Sequence, residues 1–129
     1  MVTRENDSLT AQIIGAAIEV HKYLGPGLFE SSYEKSLIQE LKLRNLSVRS
    51  QIALSLEYKG VELQQGYKID LLIEENVIVE LKCVEKILEV HEAQILTYMR
   101  HSKIRRGLIL NFNEVLMKEG IRRFILNPR

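Results

Sequence analysis

The sequence predicts an α/β protein in which helices flank a central mixed sheet. Two segments near the start carry apolar residues at spacings of three and four, as amphipathic helices do. The middle of the chain alternates apolar and polar residues, as half-buried strands do. A further helical segment precedes a short apolar run, which is the pattern of a crossover between parallel strands. With 129 residues, 46% of them hydrophobic, residues 1–129 are expected to form a single domain.

The individual elements follow from these patterns in chain order. Two helices are predicted at residues 10–24 and about 30–45, and the Gly-Pro-Gly at 25–27 ends the first of them. The predicted strands are residues 48–56, 61–63, 67–73, 77–83, 107–112 and 121–126. The short acidic turn between the third and fourth strands favours an antiparallel hairpin. A third helix at about 90–101 is expected to make strand 107–112 parallel to its neighbour.

Composition excludes several classes of protein. The 18 Lys and Arg residues nearly balance the 17 Asp and Glu residues, so the net charge of +1 excludes a uniformly basic nucleic-acid coat. Cys83 is the one cysteine, which excludes an internal disulfide or a cysteine zinc site and fits a reducing compartment. The polar start resembles no signal peptide, and no apolar run approaches the roughly 20 residues that span a bilayer. We therefore expect a cytoplasmic protein without a membrane span.

The residues that indicate chemistry lie in the predicted hairpin. Glu80 and Lys82 are two apart on one strand and share a face, and Asp70 lies across the hairpin. Charges in hairpins are usually solvated, but Glu80 and Lys82 interrupt an apolar strand, where unpaired charges are unfavourable. Two carboxylates beside a backbone carbonyl form an oxygen-rich site that suits Mg²⁺. The sequence therefore predicts a metal site here, with Lys82 available to orient a water or stabilise negative charge.

Asp70 with Glu80-Leu81-Lys82 resembles the motif of the PD-(D/E)XK nuclease superfamily. Residues 27–33 resemble the signature of the GxxExxY protein family, a branch assigned to that superfamily. The resemblance implies a restriction-endonuclease-like αβββαβ core and phosphodiester hydrolysis that depends on Mg²⁺ or Mn²⁺. It also implies that Asp70, Glu80 and the Leu81 carbonyl bind the metal.

Other site residues are implied by the same resemblance. Glu30 matches the acid of the first core helix, which helps to bind or orient the metal, and Lys82 matches the lysine assigned to water activation or charge stabilisation. Gln94 and Tyr98 match the Q-x-x-x-Y motif of the exonuclease branch, and their spacing of four places both on one helix face. His91, at the start of that helix, is a candidate substrate contact.

Basic residues near the end of the chain suggest a polyanionic partner. From Arg100 onward, eight Lys or Arg residues against two Glu give a local charge of +6. The residues expected to contact phosphates are Arg100, Lys103, Arg105 and Arg106, either as a strip beside the metal site or simply as a solvated helix end. The expected partner is nucleic acid, in the first instance DNA, although nothing in the sequence separates DNA from RNA. Because cutting a duplex usually needs two sites, a homodimer is also expected.

Several interpretations stay open at this point. The leading one is an Mg²⁺-dependent nuclease, and its alternative is a non-catalytic nucleic-acid- or protein-binding module on a nuclease fold. A structural partner module associated with toxins or defence is a third. Tyr33 fits either core packing or a site role, Cys83 is expected in the core, and His21 and His101 are expected on helix surfaces.

Overall fold

The computed structural model describes the backbone of residues 4–127 and the side chains of residues 8–127. Within this range there are three α-helices, which are α1 (Arg4–Leu24), α2 (Glu30–Leu43) and α3 (Glu89–Ser102). The strands are β1 (Val48–Ala53), β2 (Glu57–Tyr58), β3 (Val61–Glu62), β4 (Lys68–Ile73), β5 (Val77–Lys82), β6 (Arg106–Asn111) and β7 (Ile121–Ile125). None of these helices is both long enough and apolar enough to cross a membrane.

Five of the strands form one mixed sheet in the order β1-β4-β5-β6-β7. Strands β5 and β6 are parallel, and the other neighbouring pairs are antiparallel. Helix α3 supplies the crossover between β5 and β6, since parallel neighbours cannot be joined by a tight turn. The predicted fold class, a central mixed sheet flanked by helices, is confirmed.

Helices cover both faces of this sheet and create two hydrophobic cores. Helices α1 and α2 pack on one face, where Leu37 contacts a cluster that includes Val79 and Leu81. Helix α3 packs on the other face, where Ile95 joins a cluster that includes Ile78. The alternation of side chains along β5 therefore serves both cores, which explains why this strand is apolar at nearly every position.

Some predicted boundaries differ from the structure. The strand predicted at 48–56 ends at Ala53, and one further bond, from the Leu54 N–H to the Tyr67 carbonyl (2.8 Å), follows it before the chain leaves the sheet. Strands β2 and β3 then form a separate hairpin around the predicted turn. Before β7, a 3-10 helix at Met117–Gly120 replaces the predicted simple turn.

His21 is buried, which contradicts its expected place on a helix surface. Its Nε2 atom lies 2.8 Å from the carbonyl oxygen of Glu114, and its ring lies near Phe112. A buried ring needs such a partner for its polar nitrogen. Cys83 was expected in the core; it is half-buried and packs against the core beneath α1 and α2. His101 is exposed, as expected.

Candidate active site at a break in the central sheet

The predicted acidic pair lies where strands β4 and β5 cease to pair through their backbones. The paired register runs to Leu71 and Val79, and one step further places Asp70 opposite Glu80. There the Asp70 N–H donates to Glu80 Oε2 (3.0 Å), and the Leu81 N–H donates to Asp70 Oδ2 (2.9 Å). Side-chain oxygens therefore replace backbone carbonyls as acceptors. Both carboxylates are consequently held in the gap between the two strands.

Strand β4 is also distorted at Asp70. Ile69 packs with the core beneath α3, whereas Leu71 packs with the core beneath α1 and α2. Residues two apart on a regular strand share one face. The side-chain alternation is therefore broken at Asp70, and this break directs its carboxylate toward β5 instead of toward either helical layer.

Burial makes Glu80 hard to ionise. Its side chain is only 5% exposed. Loss of hydration and then the negative charge of Asp70 raise the pKa of Glu80 to about 8, although the Asp70 N–H and Lys82 act in the opposite direction. Burial also raises the pKa of Asp70, against the effects of the Leu81 N–H and Lys82. Such a pair is stabilised by a shared proton or by a cation.

Lys82 and Glu30 complete a cluster drawn from three elements. Lys82 is the half-buried last residue of β5, on the same strand face as Glu80. Glu30 is the exposed first residue of α2. Loss of hydration and the charge of Asp70 raise the pKa of Glu30, while Lys82 lowers it, so these groups interact electrostatically. The structure therefore brings Glu30, Asp70, Glu80 and Lys82 to one site.

Tyr33 fixes the loop that presents Glu30. Its hydroxyl donates to the Gly25 carbonyl and accepts from the Leu28 N–H (3.1 Å). Its buried ring stacks on Phe112 with centroids 4.7 Å apart. Of the two roles that the sequence left open for Tyr33, the structure shows core packing. Its hydroxyl bonds hold the loop that leads into α2.

Asn111 performs a similar structural role on the other side of the site and was not predicted from the sequence as a site residue. It is fully buried, accepts from the Val84 N–H (3.1 Å) and donates to the Val84 carbonyl (2.9 Å). The neighbouring Phe112 N–H bonds the Lys82 carbonyl (2.9 Å). These bonds fix the chain immediately after Lys82. The signal available in the sequence was an asparagine at the end of an apolar run.

Helix α3 brings one of its predicted residues to the site. Tyr98 is buried, and its pKa is raised by burial and by the nearby charge of Glu80. Gln94 lies one helical turn earlier and is exposed. His91 is half-buried, and its Nδ1 accepts from the Leu88 N–H (2.9 Å), so this nitrogen serves to cap the helix.

The four predicted basic residues do not form one exposed strip beside the acids. Arg100 and Lys103 are exposed at the end of α3. Arg105 is half-buried, with its Nε donating to the Leu126 carbonyl (3.1 Å), and Arg106 is buried at the start of β6. In the parallel register Arg106 pairs with Val77, at the opposite end of β5 from Lys82. Arg105 and Arg106 are therefore built into the sheet.

Two further polar residues lie at the site and were not selected from the sequence. Gln51 on β1 donates to both carboxylate oxygens of Glu34 on α2, at 3.0 and 3.1 Å. Glu34 follows Glu30 by four residues, a spacing that places both acids on one helix face. That spacing could have identified Glu34, whereas the position of Gln51 depends on strand pairing across distant segments.

The donor set at the break fits a hard divalent cation. Among the described side chains, no three His, Cys, Asp or Glu residues form a ready metal-binding group. Mg²⁺, however, commonly binds through one or two carboxylates and keeps several waters. Asp70 and Glu80 each place one oxygen on a backbone N–H, and each carboxylate has a second oxygen. A cation would also offset the repulsion between these two buried acids.

Comparison with known proteins agrees with this geometry. A family model of the PD-(D/E)XK nuclease superfamily matches residues 7–124. Comparisons with curated proteins and with solved structures find no significant match. Nucleases of this superfamily generally use divalent metal ions, and their substrates are nucleic acids. The matched range includes the site residues of α2 and α3 and the whole acidic cluster, and the chain therefore belongs to the PD-(D/E)XK nuclease superfamily.

Proposed function

We propose that this protein, as one domain, hydrolyses phosphodiester bonds of nucleic acid by water attack with Mg²⁺ or Mn²⁺ as cofactor. The observation that carries the proposal is the buried pair of Asp70 and Glu80, held at a break in the sheet next to Lys82. Burying two acids together is unfavourable unless a proton or a cation accompanies them. The match of residues 27–33 to the GxxExxY signature supports assignment to that branch.

Each residue of the cluster is proposed to have the role that the superfamily resemblance implies, and its position is compatible with that role. Asp70, Glu80 and the Leu81 carbonyl would hold the cation, and Glu30 would help to bind or orient it. The cation supplies positive charge that polarises a phosphodiester and makes water more acidic. Lys82 stabilises the additional negative charge that develops on the phosphate during attack. The bonds from Asn111 to Val84 keep the backbone beside Lys82 in place.

Substrate contacts are proposed on α3 and its C-terminal end. Gln94 and Tyr98 would line the approach to the acids, with the Nε2 of His91 available at the start of the helix. Arg100 and Lys103 are the exposed cations of the predicted set and would contact phosphates. The protein would act in the cytoplasm on DNA, as a homodimer where both strands of a duplex are cut.

The test is cleavage of single-stranded, duplex and branched DNA and RNA in Mg²⁺, Mn²⁺ or chelator. We expect metal-dependent cleavage of at least one substrate and its loss in Glu80→Gln, which is nearly isosteric. Thermal unfolding of both proteins confirms that the variant is folded. Cleavage that persists in chelator, or that Glu80→Gln retains, contradicts the proposed site.

A non-catalytic binding module is the second candidate, and one observation favours it. Leu28 and Phe29 are exposed just before Glu30, and Val115 and Leu116 are exposed in the loop after β6. Exposed apolar groups of this kind are common where proteins associate. If no substrate is cut in any metal although nucleic acid is bound in a gel shift, this second candidate replaces the first.

A further inference from the structure

Gln51 occupies an unusual position in strand β1. The register of β1 with β4 pairs Ser50 with Leu71 and Ile52 with Ile69, and it omits the intervening pair, Gln51 and Asp70. Gln51 also has a φ of 51°. Among the described residues, the other non-glycine positions with positive φ lie in turns or at helix ends, whereas Gln51 lies inside a strand. Backbone pairing is therefore interrupted at Asp70 with both neighbouring strands, β1 and β5.

A left-handed backbone is unfavourable for glutamine, and such strain persists only where the surroundings impose it. The conformation places the Gln51 amide between two acids from different elements. Its Nε2 donates to both oxygens of Glu34, at 3.0 and 3.1 Å. Gln51 also stands opposite Asp70 at the omitted pair, and its side chain acts to lower the pKa of the Asp70 carboxyl.

We propose that Gln51 is a positioning residue that orients the Asp70 carboxylate, with Glu34 bracing the Gln51 amide from helix α2. The inference rests on the proposed metal-binding role of Asp70. Glu34 belongs to the same helix as Glu30, so the brace also links the helix acid to the strand acid.

The principal variant is Gln51→Gly, which removes the amide and relieves the positive φ. We expect its free energy of unfolding to equal or exceed that of the parent. We expect its affinity for Mn²⁺, measured by calorimetry, to fall by about 10-fold, as when a partner of a metal ligand is removed. Lys59→Gly is the matched control, since Lys59 has a φ of 47° in an exposed turn. It should relieve similar strain and leave the affinity unchanged.

A second measurement needs no metal. Hydrogen exchange of the Leu81 amide reports its bond to Asp70 Oδ2. In chelator, Gln51→Gly should accelerate exchange at Leu81 several-fold, and Lys59→Gly should not. Glu34→Gln, which keeps an acceptor for the Gln51 amide, should give an intermediate effect in both assays.

The outcomes separate this inference from the proposed function. If the parent binds no divalent ion, the proposed function fails, and exchange at Leu81 still decides whether Gln51 orients Asp70. Unchanged exchange at Leu81 in Gln51→Gly overturns the inference in every case. A loss of stability in Gln51→Gly, with Mn²⁺ affinity like that of the parent, also overturns it and assigns Gln51 a purely structural role.

Discussion

Asp70 and Glu80 repel each other when both are ionised, and their burial strengthens that repulsion. Two acids coupled in this way titrate as a pair, so the first proton is lost far more readily than the second. Lys82 offsets part of the charge. The metal-free protein is therefore expected to keep one proton at the site near neutral pH.

The stability of the metal-free protein should decrease as pH rises from 5 to 8. The folded-state pKa of Glu80 is about 8, above its ordinary value of 4.5, so the folded protein binds the additional proton in this range. The stabilisation is complete below about pH 4.5 and is lost as pH approaches 8, with a slope of up to about 1.4 kcal/mol per pH unit. The raised pKa of Asp70 acts in the same direction. Urea unfolding in chelator at several pH values measures the slope.

Glu80→Gln is the control for this slope, because the amide does not titrate. We expect a much flatter profile between pH 5 and 8. The pKa values of Glu74 and Glu75 are lowered, so their contributions are lost only at more acidic pH and lie outside this window. An equally steep decrease in Glu80→Gln shows that another group is responsible.

Substitutions of Lys82 and Glu80 should impair the protein in different ways. Lys82→Ala should bind Mg²⁺ or Mn²⁺ as well as the parent or slightly more tightly, because a neighbouring positive charge opposes a cation. It should lose cleavage by about 100-fold or more, the effect of removing one transition-state stabiliser. Glu80→Ala should lose metal binding and cleavage together. Calorimetric metal titration and cleavage rates on both variants measure the difference.

Binding of nucleic acid in chelator provides the control for both variants, since the proposed contacts lie on α3. Both should bind as the parent does in a gel shift. Cleavage at the parental rate by Lys82→Ala, or normal metal binding by Glu80→Ala, shows that the acids and the lysine do not have these roles.

The end of β6 is packed closely against the 3-10 helix that precedes β7. A Cβ atom on Gly120 would overlap the backbone carbonyl of Asn111. Asn111 is also the residue that holds the chain after Lys82 through Val84. The close packing of Gly120 against Asn111 therefore helps to hold the backbone next to the site.

Gly120→Ala should lower the free energy of unfolding by about 1–3 kcal/mol, because backbone must move to admit the methyl group. Gly107→Ala, on β6, is the matched variant. A Cβ there would meet Met99 Sδ at 2.7 Å and Ile95 Cδ1 at 3.0 Å, which are ends of flexible side chains. We expect a smaller loss of stability in Gly107→Ala by urea unfolding. A larger loss there than in Gly120→Ala contradicts this account.

Across the fold, the sequence predicted the elements that have strong periodicity or clear stop signals. The apolar run at β6 and the Gly-Pro-Gly after α1 are examples. Asp70 and Glu80 could be paired in advance because a hairpin joins them, so a short turn determines their register. Positions that depend on contacts between distant segments could not be predicted in this way.

Three residues show why the remainder could not be predicted. Gln51 reaches the site through a left-handed backbone and through pairing of β1 with β4, and neither leaves a periodic pattern. Arg106 is a strongly charged residue that the sheet nevertheless buries. His21 was expected on a helix surface, but the distant carbonyl of Glu114 provides a buried partner.

Charge on the outer end of α3 should control affinity for nucleic acid. Replacing Arg100 and Lys103 together with Gln should weaken binding and reduce the slope of log affinity against log salt by about 1–2. Lys42→Gln, an exposed change on α2, is the control and should alter neither quantity. Fluorescence anisotropy in chelator at several salt concentrations measures both. An unchanged salt slope in the double variant removes these residues from the interface.

The hairpin that carries Asp70 and Glu80 also has a consequence for the order of folding. The turn residues Glu74 and Glu75 both adopt positive φ, and hairpins of this kind close within about 1–10 μs. The hydrogen bonds between Val84 and Asn111 join residues that are 27 apart in the sequence, and they require the α3 crossover that places β6 beside β5. Contacts of greater sequence separation form more slowly. Asp70 and Glu80 are therefore expected to come together early in folding, before Asn111 bonds Val84 and fixes the chain beside Lys82.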